Sequence, residues 1–297
     1  MPAEIDSNAL QTVFAQSLPD GTIEEPYLQY LRTVGARRSI LLLAFAPKAA
    51  GTYFRQAAMY AINGQIVRFS HAQGGRDGTP YLPTVLACYL DDNMPEVISH
   101  IHMQAFPSNR HLLNAFGIKP VIMLRNLPDM LASFRDMLEA DALARTEGLN
   151  CLIPEGFMRF DYHQKSEFMI DVIAPWYASY FATWKCYADE EPETVCVLRY
   201  TDFCTDPAKA LYTALTHAGF FVSLAKCKDA LARVWGERKK HRYNKGTSGR
   251  GATYFSSLQI ERLSRLLSYY PDLDTWLPDL VDDTTAQKRR ALEMISA

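Results

Sequence analysis

The run RSILLLAFAPKAAGTYFRQAAMYAI, Arg38 to Ile62, constrains the fold of this chain more than any other stretch. Ile40 to Phe45 is short, apolar and unbroken, the pattern of a strand buried on both faces. Pro47 ends it, and Lys48 to Thr52 makes a turn of mostly small residues. From Tyr53 a helical pattern sets in, with Phe54, Ala57, Ala58 and Ile62 along one side. A strand that passes through a lysine-bearing loop into a helix is a cradle for phosphate. Its backbone N–H groups and the positive helix end attract an anion, and the lysine adds a mobile charge. The residue order is not that of the nucleotide loop G-x-x-x-x-G-K-[ST], because Lys48 comes first and Gly51-Thr52 follow it.

The rest of the chain repeats the strand–helix alternation. Apolar runs at Gln65–Phe69, Glu96–His102, Lys119–Leu124 and Thr194–Tyr200 read as further strands. Helical patterns are expected at Ser7–Ser17, Glu25–Thr33, Tyr81–Leu90, Asn109–Phe116 (capped by Pro107-Ser108), Leu127–Glu139 and Glu167–Tyr187. Another helix is opened by Asp206-Pro207, and the remainder is helical apart from the Gly-rich, basic stretch Gly246–Thr253. Ser70–Pro80 and Ala140–Lys165 lack clean periodicity and read as surface connections, the second with short helical pieces. The expected fold is α/β: a three-layer, P-loop-like single domain over 1–297, with a central, mostly parallel sheet of about five strands flanked by helices. Sites in such sheets lie at the carboxyl ends of the strands, which gathers Lys48, His102, Arg125 and Tyr200 onto one rim.

Charge and cysteine usage narrow the function classes. A net charge of −2 gives no electrostatic reason to expect nucleic acid or an anionic membrane as partner. The basic run Arg238–Arg242 reads as a solvated helix end or as part of an anion site. The N-terminus MPAEIDSNAL has no basic stretch followed by an apolar one, and no apolar run reaches the length of a membrane span. Cys88, Cys151, Cys186, Cys196, Cys204 and Cys227 are scattered, without C-x-x-C or histidine spacing. That argues against a zinc site and fits the reduced thiols of a cytoplasmic enzyme.

Four segments, in order, resemble the cytosolic-type sulfotransferases that use 3′-phosphoadenosine 5′-phosphosulfate (PAPS). PKAAGTY, Pro47 to Tyr53, is similar to the family's 5′-phosphosulfate loop. LRNLPDMLASF, Leu124 to Phe134, is similar to its 3′-phosphate signature, with Arg125 ending a strand and Ser133 eight residues on. LRYTDFCTDP, Leu198 to Pro207, resembles the segment after the last core strand, and NKGTSGRGATYF, Asn244 to Phe255, the C-terminal segment over the 3′-phosphate. The resemblance covers about Arg38 to Phe255. It implies transfer of a sulfuryl group from PAPS to a hydroxyl of a small-molecule acceptor, leaving the product PAP, with no metal required.

The same resemblance distributes roles. Lys48, with the amides of Ala49, Ala50, Gly51, Thr52 and Tyr53 and the Thr52 hydroxyl, is expected at the 5′ end, with Lys48 at the bond that breaks. Arg125 is expected at the 3′-phosphate, joined by Lys245 and Gly246; Ser133, counted with Lys48 and His102 among the catalytic candidates, can reach the same phosphate or Lys48. Asn244 stands where the family usually has Arg, so Arg242 or Arg250 is expected to supply that charge. Tyr53, where the family often has Trp, and Tyr200 are expected against adenine. The segment SHIHM offers His100 and His102 as the general base. Strand alternation puts both on one side, so spacing does not choose; His102 is favoured as nearer the strand end. Phe69, His71 and Phe106, with Phe157 and Phe160, suggest an apolar or aromatic acceptor. Ala50 departs from the family's glycine and needs a backbone that tolerates a Cβ. The family's dimerisation segment is not evident after Gly251, so no dimer is carried over. Taken singly, Arg125 also fits a strand-ending arginine paired with Asp129 or Asp136. The rival readings are an atypical P-loop phosphotransferase (kinase), disfavoured by the lysine-first order, and a non-catalytic PAP-binding protein.

Overall fold

A computed structural model of the chain describes residues 25–70, 78–140, 153–237, 249–271 and 273–276. The expected helix at Ser7–Ser17 lies outside them. Five strands form one sheet in the order β2-β3-β1-β4-β5: β1 Ile40–Leu43, β2 Gln65–Ile66, β3 Val97–His100, β4 Val121–Leu124 and β5 Cys196–Arg199. Every pairing is parallel. All residues of β1, β3 and β4 are buried, as a parallel sheet covered on both faces requires. Edge strand β5 alternates buried and half-buried positions.

The connections carry the helices. Before the sheet lies α1 Glu25–Gly35; after β1 comes α2 Gly51–Ile62; α3 Leu82–Leu90 precedes β3 and α4 Pro107–Phe116 follows it. The structure puts Pro107 inside the first turn of α4, with Phe106 as an N-cap that makes no side-chain bond. Proline suits that position because its missing N–H would be unsatisfied there anyway. After β4 runs α5 Leu127–Ala140, and then a 3₁₀ turn at Glu155–Arg159. Next is α6 Tyr162–Phe168, opened by a capping box of Asp161 and Gln164. The helix expected over Glu167–Tyr187 is longer: α6 continues through a π turn, Met169–Ile173, into α7 Ala174–Glu190. Pro175 explains the turn, since it cannot donate a helical hydrogen bond and its ring crowds the preceding carbonyls.

Beyond β5 the chain forms α8 Tyr200–Thr205, a short helix missing from the sequence reading. It is followed by α9 Pro207–His217, capped by Asp206, and α10 Leu224–Gly236. The C-terminal part holds α11 Gly251–Tyr254, α12 Ser257–Leu267 and α13 Leu273–Trp276. α2 packs on α9 and α10, whereas α5, α12 and α13 pack on α7. Tyr177, Tyr180, Phe181, Trp184 and Tyr187 of α7 are all fully buried. Among the described residues no helix is long and apolar enough to cross a membrane. β1 leads off toward β2 on one side of the sheet, and β4 toward β5 on the other. The β1/β4 boundary is therefore the topological switch point, where open α/β sheets bind their ligands.

Candidate active site

The loop after β1 is built to present N–H groups. Lys48 (φ 67°) and Ala50 (φ 63°) are both left-handed, with Ala49 between them not so. Alternating handedness of this kind turns successive amides toward one concavity, an anion nest. The Ala50 departure seen in the sequence is thus a strained alanine, at a cost of about 1–2 kcal/mol relative to a right-handed conformation. Its side chain contributes no cap to α2. The Ala49 amide is engaged inside the loop, donating to the Ala46 carbonyl at 3.2 Å. The amides of Gly51 and Thr52 open α2, where helix geometry leaves N–H groups outside its own bonding pattern.

The loop's carbonyls point the other way, and every one from Leu43 to Lys48 has a donor. Ile101 N–H serves Leu43 (3.1 Å) and Ala49 N–H serves Ala46. The Tyr180 hydroxyl donates to Ala44 (2.6 Å), the Tyr177 hydroxyl to Pro47 (3.0 Å) and Arg125 Nη1 to Lys48 (2.6 Å). His102 Nδ1 serves Phe45 at 2.8 Å. A carbonyl only accepts, so Nδ1 carries the proton of the neutral ring and Nε2 the lone pair.

Register explains why these side chains meet. Leu43 pairs with His100 and Leu124 with Arg199, so Arg125 and Tyr200 leave adjacent strand ends together. The Arg125 guanidinium lies 4.1 Å from the Tyr200 ring centroid. Its Nε is buried and has no hydrogen-bond partner among the described residues. Tyr200 and Tyr53 both reach Phe203, with ring centroids 6.2 and 6.0 Å from it. His100 and His102 share one side of the strand, as alternation required, with rings 4.9 Å apart and edge-to-face. His100 is 4% exposed and lies against Gly51. A Cβ added at Gly51 would be 2.3 Å from its Cε1 and Nε2.

No protein-family model and no curated protein matches the chain. Among solved structures it is similar to mouse sulfotransferase SULT7A1 complexed with PAP, with a TM-score of 0.57 at 14% identity over 92% of this chain and 96% of that one. Retinol dehydratase in complex with androsterone and inactive cofactor PAP gives a TM-score of 0.48 at 13% identity, over 90% and 94%. A sulfotransferase from Alicyclobacillus acidocaldarius gives 0.39 at 16% identity, over 78% and 96%.

The chain has the sulfotransferase fold. At such identity the likeness concerns the backbone path, and the chemistry rests on this chain's own residues. Within that fold Lys48, the nest, His100, His102, Arg125, Tyr53 and Tyr200 gather around the β1/β4 boundary. Ser133 is buried in α5, two turns beyond Arg125. Phe69 and Phe157 are fully buried, Phe160 is half-buried, and Phe106 is 47% exposed. His71, Arg242, Asn244, Lys245 and Gly246 lie outside the described residues.

Two carboxylates on α5 have a role the sequence reading did not assign. Asp129, 1% exposed, accepts the amides of Gly249 (2.8 Å) and Gly251 (2.7 Å). Asp136 pairs with Arg250 and accepts the Tyr254 hydroxyl at 3.0 Å. Both carboxylates thus clamp the C-terminal segment. Arg250 is held on α5 by that clamp. Gly51 has its counterpart in Gly251, whose added Cβ would meet Pro128 Cβ at 2.3 Å. The available signal was the spacing in RNLPD: an acid in the first turn of the helix that follows Arg125.

Proposed function

We propose that this protein transfers a sulfuryl group from PAPS to a hydroxyl of a small-molecule acceptor, acting as a single cytoplasmic domain without a metal. The observation that carries the reading is the bond from His102 Nδ1 to the Phe45 carbonyl. It ties His102 to the anion loop and, in this reading, leaves Nε2 as the proton acceptor. The orphaned, buried Nε of Arg125 is a second, separate donor suited to a phosphate monoester. Two anion sites on one rim fit a molecule that is anionic at both ends, and PAP is bound in the solved mouse sulfotransferase of the same fold.

In this reading His102 Nε2 takes the acceptor's hydroxyl proton as that oxygen attacks sulfur in line. The sulfur–oxygen bond to the 5′-phosphate breaks, and Lys48 with the Gly51 and Thr52 amides neutralises the charge that develops on the departing oxygen. Arg125, with Ser133, Asn244, Lys245 and Gly246 as further candidates, holds the 3′-phosphate; Tyr53 and Tyr200 flank adenine. Phe69, His71 and Phe106 are the candidates for acceptor contact.

Calorimetry with PAP in the presence of a chelator tests the donor site, and radiolabelled sulfate transfer from PAPS to a panel of phenols and alcohols tests the reaction. Expected are PAP binding without magnesium and transfer that His102→Ala abolishes while PAP still binds. Magnesium-dependent ATP binding without PAP binding would point to a phosphotransferase instead. PAP binding with no transfer to any acceptor would leave a binding protein.

A further inference from the structure

The anion loop has no regular structure of its own. Its conformation is therefore set by whatever holds its peptide planes. A trans peptide points its C=O and the next N–H in opposite directions within one plane. A donor that fixes a carbonyl on one side thus aims the following N–H to the other. Fixing the Pro47 carbonyl aims the Lys48 amide, at the very residue where the chain turns left-handed.

Two of the donors that do this are phenol hydroxyls from one helix. Tyr177 and Tyr180 stand one turn apart on α7, so both point to the same side. Their hydroxyls reach the carbonyls of Pro47 and Ala44, at 3.0 and 2.6 Å. Both residues are fully buried, which leaves no route for water to replace a missing hydroxyl. Burial pushes the Tyr180 hydroxyl far above its ordinary range, opposed by the Ala46 backbone, so it stays a protonated donor. The same helix holds the chain just past His102: Trp184 Nε1 donates to Met103 O (3.0 Å), and Thr183 Oγ1 accepts the Ala105 amide (3.1 Å). One rigid element thus fixes both the loop that faces the 5′ anion and the segment that carries the base.

We propose that Tyr177 and Tyr180 are positioning residues of the anion loop, holding its carbonyls against α7 so that its amides face the 5′ group of the donor. The proposal rests on the reading of the site given above. Neither hydroxyl touches the donor; each acts through the backbone. Removing one lowers the population of the anion-ready loop, and apparent affinity falls by the same fraction.

The test compares PAP with adenosine 3′-monophosphate, which keeps the 3′ group and adenine but has no 5′ phosphate. In calorimetry, Tyr180→Phe and Tyr177→Phe are expected to weaken PAP binding about ten-fold, the scale of a buried carbonyl left without its donor. Binding of adenosine 3′-monophosphate should stay at the wild-type value. Tyr187→Phe is the control: it deletes a buried hydroxyl on the same helix, whose bond goes to Asn114 Oδ1 at 2.5 Å and not to the loop. It should alter neither affinity. If Tyr180→Phe does not fold, as circular dichroism would reveal, Tyr177→Phe carries the same comparison. Wild-type-like ratios of the two affinities in the loop variants, or an equal loss in Tyr187→Phe, overturn this proposal alone. Wild-type protein that binds no PAP overturns the reading of the site, and this proposal with it.

Discussion

Replacing Gly51 by alanine puts one methyl group into the closest contact of the site. The new Cβ would lie 2.3 Å from Cε1 and Nε2 of His100, whereas carbon atoms rest about 3.5–4.0 Å apart. The imidazole must retreat by roughly 1.2 Å or more to restore that spacing. Retreat is obstructed, because His100 is 4% exposed. Phe45 and His102 also stand around it, at centroid distances of 6.2 and 4.9 Å. Overpacking of this kind costs about 1–3 kcal/mol. Alanine recovers a few tenths of that through its better helix propensity at the start of α2, leaving a net loss of about 1–2.5 kcal/mol. In a chain of this size that lowers the melting temperature by about 2–10 °C in scanning calorimetry. The displaced ring also pushes His102 off the Phe45 carbonyl, so transfer activity should fall more than stability suggests. His100→Ala in the Gly51→Ala background should relieve the clash, giving a coupling energy of about 1–2 kcal/mol in the double-mutant cycle. A Gly51→Ala protein as stable and active as wild type, or a cycle with no coupling, would refute the reasoning.

Ala50→Gly should raise the denaturant midpoint by the equivalent of about 0.5–1 kcal/mol: relief of left-handed strain outweighs the added freedom of the unfolded chain. A lowered midpoint would mean that position 50 is not strained. Asp129→Ala removes a buried acceptor of two amide bonds and should cost about 3 kcal/mol in urea unfolding, with Asp129→Asn costing less. PAP affinity should fall as well, because the clamp anchors Gly249 and Gly251, just after the 3′-phosphate candidates Asn244, Lys245 and Gly246 in sequence. A drop in stability with PAP affinity unchanged would confine Asp129 to a structural role.

Local chemistry made much of this molecule legible. The apolar run before Pro47, the small-residue turn and the periodic helix after it depend on neighbours within a few positions. So does the alternation that puts His100 and His102 on one face. Misplaced boundaries have local causes too: Pro107 and Pro175 mark helix starts and kinks that periodicity alone reads as ends or as smooth helix. Asp129 was less legible, because nothing near it in sequence says that its partners are two glycine amides more than a hundred residues away. The aromatic positions of α7 looked like core, and they are core; what was hidden is that their hydroxyls have employment.

The sequence by itself determined the α/β alternation, the lysine-first anion loop and the set of residues at the strand ends. Those follow from hydrophobic period, turn chemistry and a strand's fixed alternation, all of them short-range. Tertiary structure decided which carbonyl His102 Nδ1 serves, one 57 residues away. It also decided what satisfies the loop's Pro47 and Ala44 carbonyls, through hydroxyls 130 and 136 residues from their acceptors. The physical reason is that a backbone carbonyl is the same group at every position. Which side chain satisfies it depends on what packing brings within about 3 Å.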